Sequence, residues 1–245
     1  METPHYIVSD VHLGAVPDST ERAFIRFLAH VGASGRALLI AGDLFDFWFE
    51  YGTIVPGRHV RVLAALAELV DAGLRVEMVG GNHDAWGGRY LRDVIGIGFT
   101  PGTLSTSIAG KPALVAHGDG LGRGDYKYRA LKSVIRSRPA IAAFRALHPE
   151  LGHRLARFVS RTEVHGAPGD PSRGRARHLE SWAVERLLED PDLGWVVCGH
   201  IHLPVIKPVG GGRYYLNAGD WLHHHTYIEV GADAVPELKR WPVAD

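Results

Sequence analysis

Short apolar segments recur along the chain, and most of them end in glycine or in a polar side chain. Their shortness and their content of β-branched residues predict buried β-strands. The first five predicted strands cover residues 5–10, 37–43, 74–82, 112–119 and 193–200. Two later segments, 213–217 and 226–230, are also predicted as strands.

Helical patterns separate the first predicted strands. Residues 19–31 place apolar side chains on one helix face, with Ser19 as the expected N-cap. Residues 58–72 repeat the same spacing, and Gly73 is expected to end that helix. The alternation of strands and helices predicts an α/β sheet covered by helices, and the later strands with short connections predict a second sheet.

Composition narrows the class of protein. The 245 residues are predicted to form a single domain, 1–245. With 27 basic and 27 acidic residues the formal net charge is zero, which modestly disfavours a nucleic-acid polymer as partner. Cys198 is the only cysteine, so an intrachain disulfide is excluded and a reducing compartment is favoured. Neither a signal peptide nor a membrane span is recognisable, and we expect a cytoplasmic protein.

One segment, residues 123–177, differs from the rest in charge. It contains thirteen Lys or Arg residues against four acidic ones, although the whole chain is neutral. Between these charged residues, apolar residues recur at the spacing of helix faces. The pattern predicts a basic helical insertion between two core strands. A solvated basic surface without further function is the alternative interpretation.

Metal-capable side chains follow each of the five predicted core strands. They are Asp10, His12, Asp43, Asn82, His117, His200 and His202. Ligands of open α/β sheets bind beyond the carboxyl ends of the strands, where side chains distant in sequence can meet. Any one of these residues alone is weak evidence, since a single Asp-x-His most often lies in an ordinary turn. The repetition at five strand ends predicts one shared site.

The predicted ligand set consists of carboxylates, imidazoles and an amide oxygen, without a thiolate. That set suits Mn, Fe(II), Zn or Mg better than a structural zinc site built on cysteine. Seven ligands are more than one ion needs, and they divide naturally into two sites that share a carboxylate. Two adjacent ions are a recurring arrangement for attack at phosphorus.

Five motifs make the chain resemble the calcineurin-like metallophosphoesterases: "DVH" (10–12), "GDLFD" (42–46), "GNHD" (81–84), "HGD" (117–119) and "GHIH" (199–202). The resemblance implies a four-layer αββα sandwich. It also implies two metal sites that share Asp43. One site would consist of Asp10, His12, Asp43 and His202, and the other of Asp43, Asn82, His117 and His200.

Three further residues take roles from the same resemblance. His83 matches the family histidine that binds the phosphate or protonates the leaving group, which makes His83 and Asp43 the expected catalytic residues. The alternative for His83 is a hydrogen bond that only orients a ligand. Asp46 and Asp84 are expected to orient the metal ligands.

A closer resemblance extends beyond the metal motifs. The stretches "SDVHLG", "GDLFDFW", "HGDGLGRGDYKYR" and "NAGDW" are similar to those of UDP-2,3-diacylglucosamine pyrophosphohydrolases, enzymes of the lipid A pathway. The resemblance implies a helical lid at 123–177 and hydrolysis of a UDP-sugar pyrophosphate to UMP and the acylated sugar phosphate. It further implies Mn as the usual metal and work at the inner face of the cytoplasmic membrane. Asp125 and Tyr128 match a family pair near the substrate, and Arg123 is expected beside them. The alternative is that they are ordinary helix-start residues.

The motifs leave more than one substrate class open. Many of those enzymes carry arginine where this chain has His83, so another phosphodiester or phosphomonoester is the alternative substrate. A non-enzymatic scaffold is disfavoured because all the ligand positions are intact. Several apolar residues could line a slot for acyl chains or form the helices' own core: Phe144, Leu147, Leu151, Leu155 and Phe158.

Overall fold

The computed structural model describes residues 4–51, 54–122, 126–159 and 172–243. Within these residues two β-sheets lie face to face, and helices cover the outer face of each sheet. None of the helices in the described ranges combines the length and apolar character that crossing a membrane requires.

The first sheet has six strands, of which four neighbours run parallel. In order across the sheet they are β11 (Pro236–Arg240), β10 (Thr226–Val230), β1 (His5–Val8), β2 (Ala37–Ile40), β3 (Arg75–Val79) and β4 (Gly98–Thr100). β10 is antiparallel to both of its neighbours. Every residue of β2 is buried, as expected for a central parallel strand covered on both faces.

The second sheet has five strands with a parallel centre. Its order is β5 (Leu104–Ile108), β6 (Lys111–Val115), β7 (Trp195–Cys198), β9 (Arg213–Asn217) and β8 (Val205–Gly210). β5 and β8 are the antiparallel edges.

The period-two alternation of side chains builds a core on both faces of the first sheet. Ile7 and Leu39 face the second sheet and pack in one cluster with Val197. Tyr6 and Val8 point the other way, toward the helices. β1 and β2 are therefore apolar at nearly every position, which explains why they were recognisable in the sequence.

Helices complete the outer layers. α1 (Asp18–Ser34) and α2 (Val60–Asp71) pack on the first sheet, and α7 (Ser172–Glu189) packs on the second sheet. A short helix, α3 (Arg89–Asp93), precedes β4. The layer order is helix, sheet, sheet, helix, and this confirms the predicted αββα sandwich.

Three helices lie inside the predicted insertion: α4 (Tyr126–Ile135), α5 (Arg138–Arg145) and α6 (Pro149–Val159). α7 crosses the predicted end of the insertion at residue 177 and belongs to the core by its packing. The assignment of residues 123–177 as a lid within a single domain stays a prediction.

Two local expectations need correction. Ser19 is not the N-cap of α1, because the helix already begins at Asp18 with Pro17 as the N-cap residue. Pro17 has an extended ψ and a φ of −61°, so the chain enters the helix directly after it. Four strands were not predicted, namely β4, β5, β8 and β11, and each is the edge of a sheet. Edge strands are partly solvated and lack a continuous apolar run.

Candidate metal centre

The loops that follow β1, β2, β3, β6 and β7 meet at one end of the sandwich and carry the seven predicted ligands. Five of these residues adopt left-handed backbone conformations, with φ between 50° and 70°: Asp10, His12, Asp43, His200 and His202. Such conformations are rare outside glycine and concentrate at functional sites. The backbone therefore turns sharply at each strand end and directs these side chains inward.

Asp10, His12 and His202 form the first group of ligand atoms, which all lie within 4.8 Å of one another. His12 Nε2 is 3.2 Å from His202 Nε2, and His202 Nε2 is 3.4 Å from Asp10 Oδ1. All three residues are buried. The two imidazoles and the carboxylate thus point at a common position.

Asp43, His117 and His200 form the second group under the same distance limit. His117 Nε2 is 3.0 Å from Asp43 Oδ2 and 3.1 Å from Asn82 Oδ1. Asp43 also belongs to a third group with His12 and His83, which links the first two. All seven predicted ligands are brought together, and Asp43 has the central position that the resemblance implied for it. Their role as ligands stays a prediction.

The charges at Asp43 and His117 stabilise each other. Burial, the largest single influence, would raise the pKa of Asp43, but the imidazoles of His117, His83 and His12 together hold the pKa well below its usual value. Burial would likewise lower the pKa of His117, but the carboxylates of Asp43, Asp10 and Asp119 together raise it to about 10. Attraction between opposite charges therefore dominates over desolvation at the centre of the cluster.

In three other residues of the cluster, Asp10, His12 and His200, the shift of the pKa follows the direction set by burial. Burial lowers the pKa of His12 and of His200 to about 3, so both imidazoles are neutral near pH 7. Burial raises the pKa of Asp10 to about 6. Neutral imidazole is the form that binds metal ions. Together with buried carboxylates, an amide oxygen and no thiolate, this donor set fits divalent metal ions.

Asp84 fastens two of the ligand loops to each other. Its buried carboxylate accepts hydrogen bonds from Gly81 N at 2.7 Å, Leu44 N at 2.8 Å and Asp43 N at 3.3 Å. These contacts join the "GDLFD" and "GNHD" loops and position Asp43. The geometry agrees with the expected orienting role of Asp84.

His83 lies at the edge of the cluster in a defined orientation. Its backbone N donates to Asp43 Oδ1 at 2.9 Å, and its Nδ1 donates to the carbonyl oxygen of Asp46 at 2.7 Å. Its Nε2 is 4.0 Å from Asp43 Oδ2. Since Nδ1 is engaged with a carbonyl, Nε2 is the ring atom that faces the predicted ligands. Asp46 Oδ1 also lies 3.8 Å from His12 Nδ1, which is beyond hydrogen-bond distance.

Asp220 is a further residue of the cluster, which its local sequence pattern did not single out. This buried residue follows β9 in "NAGDW", and its Oδ2 lies 3.4 Å from Nδ1 of His202. The backbone N atoms of His223 and His224 each donate to its Oδ1 at 2.9 Å. The backbone of His223 and His224 thus holds the Asp220 carboxylate beside His202. A carboxylate directly after a predicted strand was the signal available in the sequence.

A second missed feature is the charged cluster around Asp119, which connects the insertion to the ligand loops. Lys132 Nζ lies 2.7 Å from Asp119 Oδ2, and Arg136 Nη2 lies 3.0 Å from the same atom. Arg136 Nη2 also donates to the carbonyl oxygen of Gly81 at 3.0 Å. The end of α4 is therefore tied directly to the loop that carries Asn82.

The predicted substrate-binding residues have different outcomes. Tyr128 Oη donates to Asp119 Oδ2 at 3.1 Å, and burial followed by that carboxylate raises the pKa of Tyr128. Arg123 and Asp125 lie outside the described residues. Tyr128 thus belongs to the anchor of the insertion, and its contact with a substrate stays a prediction.

Three of the five apolar residues considered for a helix-to-helix core do not form one. Leu147, Leu151 and Leu155 are 37%, 57% and 49% exposed, so that alternative is wrong for these three residues. Phe144 packs against Phe49 and Trp86, with ring centroids 4.7 and 4.9 Å apart. The side chain of Phe158 lies outside the described residues.

Comparison with known proteins defines the class of this centre. The model of the calcineurin-like phosphoesterase family matches residues 4–204, and the chain belongs to that family. It is a metal-dependent hydrolase of phosphoester or pyrophosphate bonds. In fold it is similar to the hypothetical protein PH1004 from Pyrococcus horikoshii, with a TM-score of 0.51 at 9% identity over 99% of this chain and 89% of that one.

Curated relatives give more particular names. The UDP-2,3-diacylglucosamine hydrolase of Porphyromonas gingivalis is 29% identical, and the match covers 93% of this chain and 94% of the relative. The enzyme of the same name from Escherichia coli O7:K1 is 26% identical, with coverage of 96% and 98%. These similarities extend over the insertion as well as the core.

Proposed function

We propose that this protein hydrolyses the pyrophosphate of UDP-2,3-diacylglucosamine and releases UMP and acylated glucosamine 1-phosphate. The observation that carries the proposal is the cluster of seven predicted ligand residues, five of them buried, in a chain whose relatives of that name match nearly its full length. Water attacks one phosphorus in line, and the bond to the leaving phosphate oxygen breaks.

Two divalent ions are proposed as cofactors, with Mn preferred over Fe, Zn or Mg. Asp10, His12, Asp43 and His202 would hold one ion, and Asp43, Asn82, His117 and His200 the other. When bound, the ions would act as Lewis acids toward the phosphoryl oxygens and lower the pKa of the attacking water. Metal-stripped protein reconstituted with each metal in turn should regain the highest activity with Mn.

His83 is proposed to supply the proton that the leaving oxygen takes up. The hydrogen bond of Nδ1 to the Asp46 carbonyl supports this role, because it fixes the ring with Nε2 toward the cluster. Arginine at this position in many related enzymes favours a second candidate, a metallophosphoesterase that acts on another phosphoester. Both candidates use the same metal centre.

The insertion is proposed to bind the acyl chains and to contact the inner membrane surface. Its exposed leucines and its basic residues support both roles, since an anionic membrane attracts basic segments. The protein would then be cytoplasmic and peripheral at that surface.

The decisive experiment measures UMP release by Mn-loaded protein from UDP-2,3-diacylglucosamine. UDP-N-acetylglucosamine is the matched control substrate, because it has the same pyrophosphate without the acyl chains, and bis-p-nitrophenyl phosphate is the generic ester. We expect fast UMP release from the diacylated substrate alone. Turnover of the generic ester without UMP release would leave the metal chemistry and overturn the proposed substrate.

A further inference from the structure

Basic side chains mark the amino ends of the three central strands of the first sheet. His5 begins β1, Arg75 begins β3, and Arg36 directly precedes β2. The strands are parallel and in register, with His5 opposite Ala37 and Ala37 opposite Arg75, so the three side chains share one edge. His5 precedes Asp10 by five residues, which separates this edge from the metal centre by about 15 Å.

A cavity of about 630 Å³ opens at this edge. His5, Arg36 and Arg75 line it from the first sheet, and Ser107 and Gly110 line it from the β5–β6 hairpin. The volume lies in the range of small-molecule sites. Among the described residues that line the cavity, none is acidic.

The orientation of Arg75 is fixed by neighbours at the cavity wall. Its Nη2 donates to the carbonyl oxygen of Ser107 at 2.8 Å, and its Nε lies 3.8 Å from Glu77 Oε2. Thr106 Oγ1 donates to the same carboxylate at 2.8 Å, so Glu77 interacts with both Thr106 and Arg75. The two arginines that line the cavity, Arg36 and Arg75, thus have one carboxylate beside them, that of Glu77, which also accepts a hydrogen bond from Thr106.

Burial and two positive charges act on the pKa of His5 in the same direction. Burial lowers its pKa, and the positive charges of Arg75 and Arg36 lower it further. A positive potential in a partly enclosed cavity attracts anions.

We propose that this cavity binds a small phosphate-bearing anion, at a site separate from the metal centre. Its donors come from three separate strand starts and from the facing hairpin, an arrangement that suits the several oxygens of a tetrahedral phosphate. A planar carboxylate is satisfied by a single guanidinium fork. At the hairpin, Ala109 and Gly110 both have positive φ, 46° and 77°, as a two-residue turn requires, and Gly110 allows close approach to the backbone.

The test is an NMR titration of the Mg-loaded protein with inorganic phosphate, observed at backbone amides. Gly110 and Gly231 report on the cavity, since both line it, whereas Gly81 and Gly199 report on phosphate at the metal centre. We expect saturable shifts at Gly110 and Gly231. The Kd at these two amides should rise about tenfold in Arg36→Ala, because one charged hydrogen-bonding group is lost.

Arg26→Ala is the matched control, because Arg26 is an exposed arginine on α1 outside the cavity. It should leave the Kd unchanged. Absence of shifts at Gly110 and Gly231, or an unchanged Kd in Arg36→Ala, would overturn the site. Acetate binding as tightly as phosphate would overturn the assignment to phosphate.

Discussion

The ligand cluster and the insertion helices lie next to each other and are stabilised in opposite ways. In the cluster, Asp10, His12 and Asp43 are buried and held by hydrogen bonds between loops. In the insertion, α5 has no buried residue among those described, and Leu151 and Leu155 are about half exposed. Among the described residues, the insertion is attached to the core by the ion pairs of Asp119 and by the aromatic packing of Phe144.

This difference separates two tasks. A centre that is to keep the seven predicted ligands in fixed positions depends on a rigid support, which the sheets and the Asp84 hydrogen bonds provide. An exposed apolar surface is unfavourable in water unless something binds to it. We therefore expect the core to carry the chemistry and the insertion to recognise the substrate, and three experiments can test that division.

The largest effect is expected for Asp43→Ala, which removes the carboxylate shared by the ligand groups. Metal content should fall, and kcat/KM should fall by more than about a hundredfold for every substrate, since even partners of metal ligands cost 10- to 100-fold. Metal analysis and assays with the generic ester and the acylated substrate would measure this. Asp93→Ala, at a 62% exposed carboxylate, is the control. Full activity with metal retained would refute the ligand scheme.

An intermediate effect is expected for Arg136→Ala, which removes the contacts of the insertion with Asp119 and Gly81. A charge-assisted hydrogen bond contributes about 1.5–3 kcal/mol, so kcat/KM for the acylated substrate should fall about 10- to 100-fold. The generic ester should be affected much less. Arg145→Ala, on the exposed side of α5, should change neither rate. Equal losses on both substrates would show that Arg136 supports the metal centre instead.

The smallest effect is expected for the double variant Leu151→Ser and Leu155→Ser, because both side chains are already exposed. The melting temperature should stay the same, while affinity for anionic vesicles falls about tenfold through the loss of apolar area. Vesicle binding is measured by flotation. Val94→Ser, at an exposed valine outside the insertion, is the control in the same assay. A clear drop in melting temperature would show that these leucines are part of a core, and unchanged vesicle binding would remove the membrane contact from the proposal.

Local patterns were reliable where burial is complete. The central strands β1, β2, β3 and β7 are apolar because both of their faces are covered, and their ends could therefore be recognised. The edge strands were missed because only part of their surface is buried. Helix α1 was predicted from its apolar face, but its first residue was wrong because the extended ψ of Pro17 sets the helix start.

The sequence by itself determined the family of the protein and the set of candidate ligands, because each ligand directly follows a strand that its own apolar run defines. Only the tertiary structure decided which distant side chains support that set. Asp220 reaches His202, and Arg136 reaches Gly81, through strand order and helix docking that no local spacing encodes. The basic cavity has the same origin, since His5, Arg36 and Arg75 become neighbours only through the parallel register of three strands.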